Sequence, residues 1–196
     1  MKKLSAFIRS RTALSTGFLK LFRYEFEVER HEGGMKRITW ELMERGHTVS
    51  VLAYDPVRDA VVLGKEFRPG AMVSGDYPFT ENLVSGGVSD DEQVITAAIR
   101  EMQEEAGLAL EEPTVIHPGA YVSSGGTSEK VAIVFGFVDS SRAGGIHGEG
   151  ESENVLTVVL PAQEFIDRAR AADMGDLKTC FAAYWLAEYR RLRAGA

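Results

Sequence analysis

Glu101, Glu104 and Glu105 lie close together in the segment Arg100-Glu101-Met102-Gln103-Glu104-Glu105. On an ideal helix each residue turns the chain by about 100°, so taking Glu101 as zero puts Glu105 near 40° and Glu104 near 300°. Three carboxylates then share an arc of about 100°. Ile95, Ile99, Met102 and Ala106 fall between about 100° and 160°, a predicted apolar stripe for the core. Glu101 and Glu105 form a like-charge i, i+4 pair, which costs a few tenths of a kcal/mol on an isolated helix. The macrodipole makes acidic residues worse still near the C-terminal end. No lysine is interleaved, and Arg100 is the only cation in the segment. Two readings stand at this point. One is a solvated acidic face; the other is a set of oxygen ligands for a hard divalent cation such as Mg²⁺.

The wider spacing narrows this. The chain has Gly86, five residues, Glu92, seven residues, and then Arg100-Glu101-Met102-Gln103-Glu104-Glu105-Ala106-Gly107-Leu108. This resembles the Nudix box of the Nudix hydrolases at every fixed position, with aliphatic Met102 and Leu108 in place. Seven specified residues at average usage match by chance on the order of once in a million such chains. The resemblance implies an α+β protein of the Nudix fold, an α/β/α sandwich around a mixed sheet, with the box as loop–helix–loop. It implies hydrolysis of a nucleoside diphosphate linked to another group, with Mg²⁺ or Mn²⁺. It makes Glu101 and Glu105 direct metal ligands, Glu104 a ligand or water-mediated partner, and the Ser85 carbonyl a further ligand. Arg100 and Glu92 become the ion pair that orients the catalytic helix and its loop, and Gly86 and Gly107 structural members of the box.

Outside the box the resemblance runs from about Gly17 to the final helix and points to the ADP-ribose pyrophosphatase branch. Glu44-Arg45-Gly46-His47 and Asp55-Pro56-Val57-Arg58-Asp59 look like that branch's central hairpin. Arg68 matches an arginine on the substrate's diphosphate, a task suited to a planar fork of donors. Ser123-Ser124-Gly125-Gly126-Thr127-Ser128-Glu129 resembles a substrate loop, implying substrate contacts from Ser124, Gly125 and Gly126. Ser124 stands where proline is usual in ADP-ribose enzymes, and Asn82 stands where a glutamate often precedes the box, with Glu81 adjacent. The segment Ile146 to Asn154 resembles a loop that completes the site, with Glu151 as general base and Glu153 as a further metal ligand; His147 is expected to be structural. Phe18 would stack on adenine and Glu41 would lie near a partner's site, in a homodimer built through the N-terminal strands. For ADP-ribose the products are AMP and ribose 5-phosphate. A hydrolase of another sugar nucleotide, such as GDP-mannose, is the alternative kept open by Ser124. A non-catalytic nucleotide-binding module is disfavoured by the intact carboxylates.

These residues need elements to hold them. Residues 1–16 read as a basic, poorly periodic lead-in. From Phe18 an imperfect alternation suggests a strand, with Leu21, Phe26 and Val28 on its apolar side. The His31-Glu32-Gly33-Gly34 turn and a strand over Arg37–Met43 complete a hairpin. Residues 1–43 are thus expected to be an extension carrying a strand pair, and 44–196 the hydrolase domain. A second hairpin flanks the Asp55–Asp59 turn, and 69–91 reads as mostly loop. Glu92 to Gly107 is the first strong helix, with Asp90 or Asp91 as cap. Strands near Thr114–Val122, Lys130–Val138 and Val155–Leu160 follow, then helices from Pro161 to about Ala172 and over Leu177–Arg193. Hairpin-joined strands with three helices indicate α+β.

Composition is ordinary for a soluble globular protein. The 196 residues carry 22 Lys+Arg against 29 Asp+Glu, a net charge of −7, which argues against a duplex-DNA binder. Cys180 is the lone cysteine, so no intrachain disulfide forms. No apolar stretch approaches the ~20 residues that span a bilayer, and the opening MKKLSAFIRSR lacks a signal-peptide apolar core. A cytoplasmic location is expected.

Overall fold

A computed structural model describes residues 3–148 and 154–195. Two compact units make up the chain: residues 1–47 with 120–131, and residues 48–119 with 132–196.

In the first unit β1 (Ala6–Thr16), β2 (Lys20–Glu29) and β3 (Met35–Glu44) form an antiparallel sheet in that order. The β2–β3 hairpin stands as expected, with Glu29 opposite Met35 and the Arg30 N–H donating to the Gly34 carbonyl at 2.9 Å. Two expectations fail. Residues 6–16 are a strand, not a lead-in, so the segment carries three strands rather than a pair. None of its eleven residues is buried, so it lacks the alternation that betrays a half-buried strand. Backbone pairing holds it, helped by Arg9 on Glu27, Arg11 on Glu44 at 2.5 Å, and the Arg11 guanidinium 3.6 Å over the Phe22 ring. The apolar phase of β2 is also shifted: Phe22 and Tyr24 are its buried residues.

In chain order there follow β4 (His47–Asp55), β5 (Ala60–Phe67), α1 (Pro69–Ser74), β6 (Phe79–Asn82), β7 (Val84–Val88) and α2 (Val94–Ala106). After these come β8 (Glu111–Tyr121), β9 (Lys130–Phe137), a 3₁₀ turn (Ser140–Arg142), β10 (Ile146–His147), β11 (Val155–Pro161), α3 (Ala162–Arg170) and α4 (Leu177–Ala194). The large mixed sheet runs β10-β11-β5-β4-β9-β8, with β6 on β5 and β7 on β4. Period-two side chains send its central strands into two cores. Leu52, Val61, Leu63, Ile133 and Phe135 pack on one face with Phe165 and Ile166 of α3 and Ala182 and Leu186 of α4. Val49, Val51, Val62 and Val134 pack on the other with Ala97, Ala98 and Met102 of α2. Helices on both faces make an α/β/α sandwich. The stretch 69–91, expected to be mostly loop, instead contains α1, β6 and β7. Among the described residues there are four α-helices rather than three, and none is long and apolar enough to cross a membrane.

The β4–β5 turn is fixed by a buried carboxylate. Asp55, 1% exposed, accepts from the Val57, Arg58 and Ser140 N–H groups at 2.8, 3.0 and 2.9 Å, from the Ser140 hydroxyl at 2.6 Å and from Arg58 Nη1 at 3.2 Å. Burial alone would raise its pKa, but these donors hold it well below the ordinary 3.8. The unfolded chain therefore binds the proton first, and stability rises with pH. The stabilisation should be complete above about pH 5 and fade as pH falls below about 4 toward the depressed folded value. Asp55→Ala should cost about 3 kcal/mol at pH 7, through stranded buried donors. Urea unfolding from pH 7 to pH 2.5 should show the gap between wild type and variant shrinking; a constant gap would refute the assignment.

Candidate active site

The box begins on β7, where a glycine permits a close approach. A Cβ at Gly86 would lie 1.9 Å from the carboxyl carbon of Glu101, so only hydrogen fits there. Glu101 and Glu105 are only 6% and 8% exposed. The Ser85 N–H donates to Glu105 Oε2 at 3.2 Å, and the Ser85 hydroxyl bonds the Ser50 hydroxyl at 2.7 Å. The corner leading into β7 is tied down by α4. Asp176 caps that helix through the Thr179 N–H, and the buried Thr179 hydroxyl accepts from the Leu83 N–H at 3.2 Å.

The buried face of α2 differs from the expected stripe. Ile95 and Ile99 are 38% and 43% exposed, while Ala97 and Ala98 are fully buried together with Met102 and Ala106. On the helical wheel the buried arc is turned about 60° toward the carboxylates. Small alanines let the helix lie close to the sheet, and the Gly86 cradle takes the Glu101 side chain. The helix also starts later than expected, at Val94, with Gln93 at the cap position and no side-chain cap bond, so neither Asp90 nor Asp91 caps it. Its end is as expected. Gly107 has φ +66°, and its N–H bonds the Gln103 carbonyl, a left-handed cap that glycine adopts without strain. A Cβ there would also meet the His147 ring at 2.8 Å. His147 itself bonds the Gly144 carbonyl at 2.8 Å, in keeping with a structural part.

Arg100 forms the densest polar network in the box. Its Nε and Nη2 donate to the two oxygens of Glu92 at 3.0 and 3.1 Å, and Nη2 also to the Gly87 carbonyl at 2.9 Å. Its Nη1 donates to Glu101 at 2.7 Å and Glu104 at 2.9 Å. The Arg100 guanidinium holds Glu92 below the usual carboxylate range, assisted by the Ser89 N–H. Arg100 is pushed up in turn, chiefly by Glu92. Among the described residues no three His, Cys, Asp or Glu side chains are gathered into a metal cage; here Arg100 supplies the positive charge between Glu101 and Glu104.

The other predicted site residues are not part of the box. Arg68 occupies the position before α1, with no side-chain cap bond, and pairs with Glu66 at 2.5 Å; Asn82, 3% exposed, accepts from its Nε at 3.2 Å with the amide in the orientation that satisfies both its atoms. Glu81 does not replace Asn82 there. It pairs with Lys65 at 3.2 Å and Arg168 at 2.8 Å. Lys65, Arg68, Glu81, Asn82 and Arg168 line a cleft of ≈ 930 Å³ that also includes Tyr77 and Lys178. Phe18, Glu41, Ser124, Gly125 and Gly126 all belong to the first unit. Phe18 is 96% exposed, and Glu41 pairs with Arg23 at 2.9 Å. The glycine loop is sewn to β3: Met43 N–H donates to the Gly126 carbonyl at 2.9 Å, and Trp40 Nε1 to the Gly125 carbonyl at 2.8 Å. Glu151 and Glu153 lie outside the described residues. Sequence reasoning missed the Gly87 carbonyl and Trp40. A backbone acceptor carries no residue-type signal, and a tryptophan in an alternating strand reads as packing.

The NUDIX domain family matches residues 44–178. The chain is 33% identical to the ADP-ribose pyrophosphatase of Escherichia coli, over 91% of this chain and 86% of that protein. It is 34% identical to the ADP-ribose pyrophosphatase of Haemophilus influenzae, over 77% and 71%, and 25% identical to the GDP-mannose pyrophosphatase of Salmonella typhimurium, over 85% and 86%. A crystal structure of an ADP compounds hydrolase superposes with a TM-score of 0.75 at 18% identity, covering 98% of both chains, which speaks to the fold. Nudix hydrolases are generally dependent on a divalent metal. A family match over most of the chain thus falls on the segment where a glycine cradle meets buried carboxylates, and the chain belongs to the NUDIX family as a Nudix pyrophosphohydrolase.

Proposed function

We propose that this protein hydrolyses the diphosphate bond of ADP-ribose, giving AMP and ribose 5-phosphate, with Mg²⁺ or Mn²⁺. The observation that carries the reading is Glu101 and Glu105, two buried carboxylates on one helix face, set against β7 by Gly86 and Ser85. Relatives named for ADP-ribose at 33% and 34% identity support the substrate. The donors fit a hard cation, being all oxygen: the carboxylates of Glu101, Glu104, Glu105 and Glu153 and the carbonyl of Ser85 would hold it. Bound there, it would screen the diphosphate and lower the pKa of a water. The protein's own groups do the rest. Arg68 binds the diphosphate through its guanidinium fork. Arg100, fixed on Glu92 and Gly87, keeps the helix and its loop in register. Glu151 takes the proton of the attacking water as the water adds to phosphorus in line with the departing phosphate. Ser124, Gly125 and Gly126 contact the substrate, Phe18 stacks on adenine and Glu41 lies near the partner's site.

Ser124, where ADP-ribose enzymes usually carry proline, favours a second reading as a GDP-mannose hydrolase, and relatives of that name exist. A substrate panel with Mg²⁺ decides: AMP release from ADP-ribose well above GMP release from GDP-mannose is expected, and the reverse order overturns the choice.

Residues 1–43 act as the dimerisation element of a cytoplasmic homodimer, with 44–196 the hydrolase domain. The exposed apolar side chains Phe7, Ile8 and Trp40 support this. Sedimentation should give a dimer at micromolar concentration; a fully active monomer would remove the idea.

Gly86→Ala should lower turnover about a hundredfold, since displacing a catalytic group by about 1 Å costs that much. At Gly87 a Cβ meets nothing within 4 Å, so Gly87→Ala should cost far less. Equal losses in steady-state assays would show that the cradle is not what matters.

A further inference from the structure

Arg100 does more than tie helix to loop. Two of its nitrogens, Nε and Nη2, face Glu92 and the Gly87 carbonyl. The third, Nη1, points the other way and lies 2.7 Å from Glu101 Oε1 and 2.9 Å from Glu104 Oε2. It stands between two of the carboxylates that the proposed function gives to a divalent cation. A guanidinium NH₂ group has two N–H donors and no acceptor, so Nη1 neutralises these oxygens as a cation does and competes with one for them.

We infer that Arg100 is a displaceable internal counter-cation: Nη1 holds Glu101 and Glu104 in the metal-free protein and withdraws from them when a divalent cation binds, while Nε and Nη2 keep their grip on Glu92 and Gly87. The inference rests on Glu101 and Glu104 being metal ligands, as proposed above. The two arms are unequal. Glu101 has only 8% of its side chain exposed, whereas Glu104 has 39%. Solvent screens the Glu104 contact and makes it the weaker one, so that arm gives way first. The five N–H donors of arginine divide between a fixed anchor and a movable arm, and lysine, with one nitrogen, could not serve both.

The inference differs in sign from a purely structural role. If Nη1 competes with metal, Arg100→Gln should bind Mn²⁺ at least about threefold more tightly than wild type by calorimetry, although its metal-free melting temperature falls. If Arg100 only scaffolds the site, the variant should bind Mn²⁺ equally or more weakly, and that result overturns the inference. Should the variant not fold, the wild type suffices: in ¹⁵N spectra of the arginine side chains, Mg²⁺ titration should free rotation of the Arg100 Nη1 group while its Nε–H signal persists. Unchanged Nη1 signals at saturating Mg²⁺ overturn the proposal. Glu101→Gln separates the two levels. Mn²⁺ affinity unchanged in that variant removes the ligand assignment itself, and the inference with it; reduced affinity with immobile Nη1 signals removes the inference alone.

Discussion

Glu105→Gln should leave a folded protein whose turnover is lower by at least about a hundredfold. Groups that merely orient a metal ligand cost about 10–100-fold when removed, so a ligand itself should cost no less. The fold should survive because the amide oxygen of glutamine can still accept from the Ser85 N–H, which now donates to Glu105 at 3.2 Å. Loss of one charge also relieves the i, i+4 repulsion with Glu101, so the metal-free melting temperature should hold or rise. Steady-state rates at saturating Mg²⁺ with parallel thermal melts check both halves. Undiminished turnover would refute the ligand assignment.

Glu151→Gln should be more damaging still, by about two to four orders of magnitude, the usual range for a general base. Substrate and metal affinity should change little, because in this assignment Glu151 handles a proton and not a cation. Glu153→Gln should instead weaken metal binding, so that raising Mg²⁺ restores part of its activity. The informative comparison is a Mg²⁺ titration of turnover for both variants, with substrate affinity measured separately. Rescue of Glu151→Gln by metal reverses the two roles. Near-normal turnover in both places the base elsewhere, with Glu104 the next candidate.

The box was legible because its chemistry needs fixed residue types at fixed spacing. Gly86, Glu92, Arg100, Glu101, Glu104, Glu105 and Gly107 could be named from the chain alone, and the Arg100–Glu92 pair is formed. The rotation of α2 was not legible. Counting isoleucines as core and glutamates as surface is sound on average, but it misleads where a sheet glycine opens a slot that admits a carboxylate. The hairpin at Asp55–Asp59 could be read from turn chemistry, whereas β1 could not, since an exposed strand held by backbone pairing writes no pattern into its side chains. Asn82 shows a third limit. The sequence left open whether Glu81 could take its place, but Glu81 is already engaged by Lys65 and Arg168.

The first unit is discontinuous in sequence: residues 120–131 belong with residues 1–47. An N-terminal deletion is therefore no clean excision. Removing residues 1–43 would also strip the glycine loop of the β3 backbone at Met43 and the Trp40 indole that brace Gly125, Gly126 and Ser128. A truncated enzyme that loses activity would thus report two lesions at once, a missing extension and an unbraced loop. Point changes that spare the loop's braces, such as Phe7→Ser or Ile8→Ser on the exposed strand, are the sounder way to ask what the extension contributes.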